Sequence, residues 1–242
     1  MKIAAAQIRS MAGNIETNIK HHTEVARVAI AHQVDVVVFP ELSLTGYEPS
    51  IAEALAITAD HSSLDPIAEA AASLDLVLSV GLPLRSKRGI HIGMIFFLPD
   101  GNRQIYTKAH LHADEKTIFT KGTDQQDLMW CGMRLAPSIC YELSIEDHIK
   151  SAGDRRANVY LSSVAKHQQG VESAVDILSA SAKTYGMQVI MANAVGHNDD
   201  FTSAGQSVVL NRDGNILAQM DAEHEGLLVY DTKTQAVQIV YM

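Results

Sequence analysis

The stretch Val34-Asp35-Val36-Val37-Val38-Phe39-Pro40-Glu41-Leu42-Ser43-Leu44-Thr45-Gly46-Tyr47 decides the fold. Four consecutive Val or Phe residues give a strand at 34–39 no polar face, so it is expected to be buried on both sides of a helix-covered sheet. Pro40 ends it, and Glu41 stands just beyond. Two further strand ends carry a reactive group in the same way. Lys108 follows Gln104-Ile-Tyr-Thr107, and Cys140 follows Arg134-Leu-Ala-Pro-Ser-Ile139. In sheets covered by helices, ligand sites collect beyond strand ends. A carboxylate, an ammonium and a thiol gathered there supply a proton shuttle, an oxyanion clamp and a nucleophile.

Outward from these points the chain alternates β-type runs with amphipathic helical ones. A strand is expected at 2–8. Asn14 then caps a helix whose apolar stripe runs through Ile15, Ile19, His22, Ala26 and Ile30. Helix at 62–74 and strand at 76–84 follow. A hairpin turns at Pro99-Asp100-Gly101 between 90–98 and 102–108. The second half repeats the alternation: strand 131–140, a short polar helix 144–151, strand 158–165, helix 168–185, and strands at 187–195, 205–210 and 216–220. Helix 168–185 carries Val171, Ala174, Val175, Leu178 and Ala182 on one stripe. Residues 226–231 are expected to add an edge strand. The turns Asp100-Gly101-Asn102 and Asp213-Gly214-Asn215 hint at related halves. No linker or composition shift divides the pattern, so residues 1–242 read as one α/β domain of mixed sheets with helices outside.

Among the 242 residues, 47% are hydrophobic, enough for a continuous core, and the net charge is −9. That charge, with no run of four Lys/Arg, argues against nucleic acid. No stretch of about 18 apolar residues offers a membrane span. The opening Met1-Lys-Ile-Ala-Ala-Ala-Gln-Ile-Arg9 has too short an apolar run for a signal peptide. A soluble, cytoplasmic protein is the expectation, and two cysteines suit a reducing compartment. If Cys131 and Cys140 share a strand, they stand about 30 Å apart and do not pair. Cys140 is then a free thiol and Cys131 a core residue. The 11 histidines include no His-Glu-x-x-His spacing, there is no paired Cys-x-x-Cys, and phosphate loops are absent. No metal and no cofactor are expected.

Phe39-Pro-Glu41-Leu-Ser-Leu-Thr-Gly-Tyr47, Tyr106-Thr-Lys108-Ala-His-Leu111 and Ile139-Cys140-Tyr-Glu142 resemble the three signatures of the nitrilase superfamily of carbon–nitrogen hydrolases, in that family's order. Ala5-Ala6-Gln7, Asn193-Ala-Val-Gly196 and Gly205-Gln-Ser207 resemble its first and late strands. The resemblance implies a four-layer α-β-β-α sandwich and an amidase that cleaves a small carboxamide through a Cys140 thioester, releasing ammonia. It makes Cys140 the nucleophile, Glu41 the general base and acid, and Lys108 the stabiliser of the tetrahedral intermediate. Glu115 matches a second glutamate that positions substrate and water, and the Tyr141 N–H a second oxyanion donor. Tyr47 either lines the pocket or closes its own turn. The resemblance also implies a homodimer acting on a small-molecule amide and water.

The chain departs from the family pattern after Cys140. Tyr141-Glu-Leu-Ser-Ile-Glu-Asp147 has Ser144 where an arginine is frequent, and only three residues separate Leu111 from Glu115, so the pocket is expected to be small or open. N-carbamoyl or nitrile hydrolysis on the same residues remains open. So do a papain-like pairing of Cys140 with His148 or His167, and a binding protein of the same fold without turnover.

Overall fold

A computed structural model of the chain describes residues 1–123 and 126–242. The first half runs β1 (Lys2–Gln7), α1 (Ile15–Ala31), β2 (Val36–Val38), α2 (Ala52–Leu55), α3 (Asp65–Leu74), β3 (Val77–Ser86), β4 (Gly89–Phe97) and β5 (Arg103–Thr107). The second begins with β6 (Leu128–Trp130), β7 (Met133–Ile139), α4 (Glu146–Asp154), β8 (Val159–Val164), α5 (Gln168–Tyr185) and β9 (Gln188–Asn193). A ribbon of β10 (Val195–His197) and β11 (Thr202–Ala204) follows, then β12 (Val208–Leu210) and β13 (Ile216–Gln219). The chain then returns to the first sheet through β14 (Gly226–Asp231) and β15 (Val237–Tyr241).

The two sheets share one plan. In the first, β1, β2 and β3 are parallel neighbours, and β4 and β5 continue antiparallel. In the second, β7, β8 and β9 are parallel, and β12 and β13 continue antiparallel. The two Asp-Gly-Asn turns close the equivalent hairpins, β4–β5 and β12–β13. Each sheet also gains strands at its other edge: β14 and β15 beside β1, and β6 beside β7.

Alternation along the strands builds three apolar layers. Ile3, Val36 and Val77 of the first sheet meet Leu135, Leu161 and Ile190 of the second in the central core. Ala4, Val37 and Leu78 face the opposite way, onto Ile19, Val25 and Ala26 of α1 and Ile67 and Ala71 of α3. Tyr160, Val189 and Ala136 face Ile149 and Ala152 of α4 and Val171, Ala174 and Leu178 of α5. The order helix, sheet, sheet, helix is the expected four-layer sandwich.

Local chemistry sets the helix ends. The Asn14 side chain accepts from the Thr17 N–H at 3.0 Å, and α5 stops at Gly186 in the left-handed region (φ 64°). The α1 stripe is wider than its periodicity implies, because Asn18, Val25 and Ala29 are buried with Ile19, His22 and Ala26. Asn18 is tolerated there because its amide donates to the carbonyls of Met11 (2.9 Å) and Leu44 (3.0 Å) and accepts from the Met11 N–H (2.8 Å).

Two expectations need correction. Cys131 is not in the core: it lies exposed in the β6–β7 turn, with φ 47° beside Gly132 at φ 74°. β14 is not an edge strand but an inner one, hydrogen-bonded to both β1 and β15.

Candidate active site

Glu41, Lys108, Glu115 and Cys140 come together where the strands of the two sheets end. Each is put there by a specific local device. β2 stops at Val38, and the Phe39 carbonyl accepts a hydrogen bond at 2.7 Å from the Ser163 hydroxyl of β8, which pins the end of the first sheet to the second. The following Pro40-Glu41-Leu42 segment lies directly on β3 at Gly81. A Cβ there would come within 2.5 Å of the Leu42 nitrogen and 2.8 Å of the Pro40 oxygen, so only glycine allows the approach. Lys108 follows β5, where its N–H donates to the Ile92 carbonyl (2.9 Å) and its carbonyl accepts from Gly122 (2.7 Å). Cys140 follows β7 and holds φ 44°, a conformation that a non-glycine residue adopts at a cost of about 1–2 kcal/mol. A short 3₁₀ turn starts at Cys140, so the Tyr141 N–H lies in a first turn with no intrahelical acceptor.

The Lys108 ammonium, fully buried, donates to Glu41 Oε1 at 2.7 Å and to Glu115 Oε1 at 2.6 Å. Two of its three N–H groups are thereby used and one remains. Glu115 is held from three further sides: Oε1 also accepts from the Tyr47 hydroxyl (3.0 Å), Oε2 accepts from the His112 N–H (2.8 Å), and Asp114 Oδ1 caps its own N–H (2.9 Å). Glu41 is held less completely. Among the described residues, its Oε2 is buried without a hydrogen-bond partner.

The electrostatics follow from this packing. Burial pushes the Glu41 carboxyl above its ordinary 4.5; Lys108 pulls it back and Glu115 adds to the rise. The Cys140 thiol, acting as a donor, also lowers Glu41, although among the described residues no hydrogen bond of ordinary geometry joins it to Oε2. The thiol is pushed up to about 11, first by burial and then by Glu41, against the charges of Lys166 and Lys108. For Lys108, burial alone would lower the ammonium, but Glu41, Cys140 and Glu115 outweigh it and hold the cation above its ordinary value. At neutral pH the ammonium is therefore charged and the thiol protonated.

A cavity of about 250 Å³ opens onto this cluster, lined by Tyr47, Glu115, Cys140, Tyr141, Lys166 and Phe201 among others. Tyr47 thus both lines the pocket and orients Glu115. A wider depression of about 580 Å³ adjoins it and shares His112 and Tyr141. Neither histidine weighed as a partner for Cys140 forms a hydrogen bond with it. His148 is enclosed between the hydroxyls of Tyr106 and Tyr160, each 2.9 Å away, and burial brings its pKa down to about 4. His167 caps α5.

One part of the surroundings escaped the sequence reading. Glu142, two residues after Cys140, is fully buried and ties the Lys108 segment to the Cys140 segment. Its Oε1 accepts from the Ala109 (2.7 Å) and His110 (3.3 Å) N–H groups, and its Oε2 from the Ile139 N–H (2.8 Å) and the Tyr106 hydroxyl (2.6 Å). The signal was present in Tyr-Glu after the cysteine and in Tyr106 before Lys108, but the pairing spans 36 residues.

Comparison with known proteins agrees with this architecture. A family model described as carbon-nitrogen hydrolase matches residues 2–240. The glutamine-dependent NAD(+) synthetase of Acinetobacter baylyi is 25% identical over 233 residues, which are 93% of this chain but only 43% of that protein. Omega-amidase YafV of Yersinia enterocolitica is 26% identical over 231 residues, 92% of this chain and 86% of that protein. Among solved structures, the NitN amidase from Nesterenkonia sp. AN1 superposes with a TM-score of 0.88 at 25% identity, over 96% of this chain and 92% of its own. The same amidase has been solved in a variant form with butyramide. The fold, the strand-end cluster and the match along nearly the whole chain place this protein in the carbon–nitrogen hydrolase family, as a hydrolase acting on carbon–nitrogen bonds.

Proposed function

We propose that the protein is an amidase that hydrolyses a small carboxamide through a thioester on Cys140 and releases ammonia. The observation that carries this reading is the partly satisfied cluster: a buried ammonium shared by two carboxylates, with one oxygen of Glu41 left over beside a protonated thiol. At a pKa of about 11 only roughly one thiol in ten thousand is ionised at pH 7, so attack needs a base within reach. Glu41 is that base.

Glu41 Oε2 takes the Sγ proton as sulfur bonds to the amide carbon. The carbonyl oxygen becomes an oxyanion, which accepts from the third N–H of Lys108 and from the Tyr141 N–H. Glu41 then returns its proton to the amide nitrogen, the C–N bond breaks, and ammonia leaves. In the second half Glu41 removes a proton from water, whose oxygen attacks the thioester carbon. Collapse of that intermediate expels the Cys140 sulfur, which recovers the proton from Glu41, and the carboxylic acid departs. Glu115 keeps Lys108 and the water in line, and Tyr47 keeps Glu115 in place. The butyramide complex of the Nesterenkonia amidase supports a short acyl chain, as does a cavity of about 250 Å³. A cytoplasmic homodimer belongs to the same proposal on family grounds, and light scattering reads its mass.

The test is ammonia release over short amides, N-carbamoyl amino acids and nitriles, with intact-mass detection of the acyl-enzyme. The expected result is turnover of a short amide and an acyl adduct on Cys140. Ammonia release with the adduct on Cys131, or undiminished in Cys140→Ala, overturns the mechanism.

A further inference from the structure

His22 is a fully buried titratable side chain to which the proposed mechanism gives no task. It sits on the buried face of α1 among Ile19, Val25 and Ala26, where an aliphatic residue would pack with no polar group to satisfy. Both ring nitrogens are engaged. Nδ1 lies 2.6 Å from the Asn18 carbonyl, and Nε2 lies 2.9 Å from the Ser43 hydroxyl. Burial brings the His22 pKa down to about 3, so the ring is neutral at pH 7 and carries a single N–H. A carbonyl only accepts, so Nδ1 holds that proton and Nε2 accepts from Ser43. The Ser43 oxygen in turn accepts from the Gly81 N–H at 3.3 Å. A directed chain of hydrogen bonds thus runs from β3 through Ser43 and His22 to the α1 backbone.

This chain bears on the turn that presents Glu41. Leu42 in that turn holds φ 52°, a left-handed conformation that a residue with a Cβ keeps only where its surroundings over-determine it. Before the turn, the His22 ring packs on the Phe39 ring, with centroids 4.1 Å apart and planes tilted by 33°. After it, the Ser43 N–H donates to the Pro40 carbonyl (3.2 Å) and the Leu44 N–H to the Gly81 carbonyl (2.9 Å). Asn18, one helical turn before His22, donates to the Leu44 carbonyl (3.0 Å), and the Ser10 hydroxyl donates to the Ser43 carbonyl (2.7 Å). His22 touches both sides of the turn at once, Phe39 with its face and Ser43 with its edge.

We propose that His22 is a positioning residue for Glu41: by holding Phe39 and the Ser43 hydroxyl together it fixes the Pro40-Glu41-Leu42 turn, and with it the place of Oε2 beside the Cys140 thiol. This rests on the reading of Glu41 as the base of an amidase. Misplacing a reacting group by about 1 Å costs about a hundredfold in rate, even where the group keeps its chemistry. The cavity is lined by other residues, so the loss should fall on kcat rather than on KM.

Three variants test it. His22→Phe keeps a ring against Phe39 and removes both hydrogen bonds, whereas Ser43→Ala removes the link and leaves the histidine. Each should lower kcat on a short amide by about tenfold to a hundredfold, with KM changed by less than about twofold. Because both cut one link, the double variant should lose no more than the slower single variant. His22→Gln, whose amide oxygen takes the place of Nε2 as acceptor, should recover most of the loss. A further arm needs no turnover: in hydrogen exchange, segment 39–45 should exchange faster in both single variants, with α3 as the unchanged reference. Wild-type kcat in both single variants, even with a lowered Tm, makes His22 a packing residue and overturns the proposal while the amidase stands. Additive losses in the double variant, or unchanged exchange over 39–45, overturn it too. Ammonia release from no amide by the wild-type protein overturns the amidase instead. Exchange over 39–45 then decides the clamp: faster exchange supports it and unchanged exchange overturns it.

Discussion

Glu41 and Glu142 are both buried carboxylates beside the Cys140 strand end, and burial raises the pKa of both. They differ in what satisfies them. Glu142 accepts from four donors, three of them backbone N–H groups, and both its oxygens are occupied. Among the described residues Glu41 accepts a hydrogen bond of ordinary geometry from Lys108 alone, and its Oε2 has no such partner. An unsatisfied buried oxygen costs about 1–3 kcal/mol, a cost a purely structural carboxylate would have shed by finding a donor. The fully bonded acid holds segments together, and the incompletely bonded one has capacity to take a proton. Satisfaction, rather than burial or proximity, separates the structural from the chemical carboxylate.

The largest expected effect tests the group both acids surround. Cys140→Ala should bring ammonia release below detection, while circular dichroism and melting temperature stay close to wild type, because a methyl in place of a thiol opens little space. Retained turnover would remove Cys140 from the chemistry and the comparison with it. Glu41→Gln comes next. The amide keeps the shape and loses the proton acceptor, so kcat should fall by about 10²–10⁴-fold. Single-turnover kinetics locate the loss: both acylation and thioester hydrolysis should slow. A Glu41→Gln enzyme as active as wild type would mean that the free oxygen is not the base.

Lys108→Met probes the cation that the two carboxylates of the cluster share. The stem length is kept and the third N–H is lost. An interaction made fully only at the oxyanion should lower kcat and kcat/KM together, by about a hundredfold to a thousandfold. A fall in affinity alone, with kcat unchanged, would reassign Lys108 from transition state to ground state.

How much of this was legible depended on whether a feature is local. The apolar run before Pro40, the Asn14 cap and the stripe Val171, Ala174, Leu178, Ala182 act within a few residues, and their elements formed as read. Glu41, Lys108 and Cys140 could be found because each stands within three residues of its strand's end. Glu142 could not, because its meaning lies in Tyr106 and Ala109, brought next to it by the packing of one sheet against the other. Cys131 was misplaced because 131–140 was read as one strand, although Gly132 marked the turn that breaks it. β14 could have been recognised as an inner strand, since Leu227, Leu228, Val229 and Tyr230 give it no polar face.

Glu142→Gln carries the smallest expected effect on rate and bears most directly on the comparison. Replacing one accepting oxygen by an NH₂ group turns a donor toward another donor, either the Ala109 side or the Ile139 and Tyr106 side. The loss should appear as stability, about 1–3 kcal/mol, or roughly 2–12 °C in Tm for a chain of this size. The rate should fall by less than about tenfold, through a small displacement of Cys140 and Lys108. The pH profile then separates the two acids. The base must be ionised to act, so kcat/KM falls as pH drops through the pKa of Glu41. Burial lifts that pKa, so the acid limb should lie above the ordinary 4.5 of a glutamate. In Glu142→Gln the limb should stay where wild type has it, because the proton acceptor is untouched. In Glu41→Gln the residual activity should lose it. If the limb instead disappears in Glu142→Gln and survives in Glu41→Gln, the fully satisfied acid is the one that titrates with activity, and satisfaction does not distinguish the two roles.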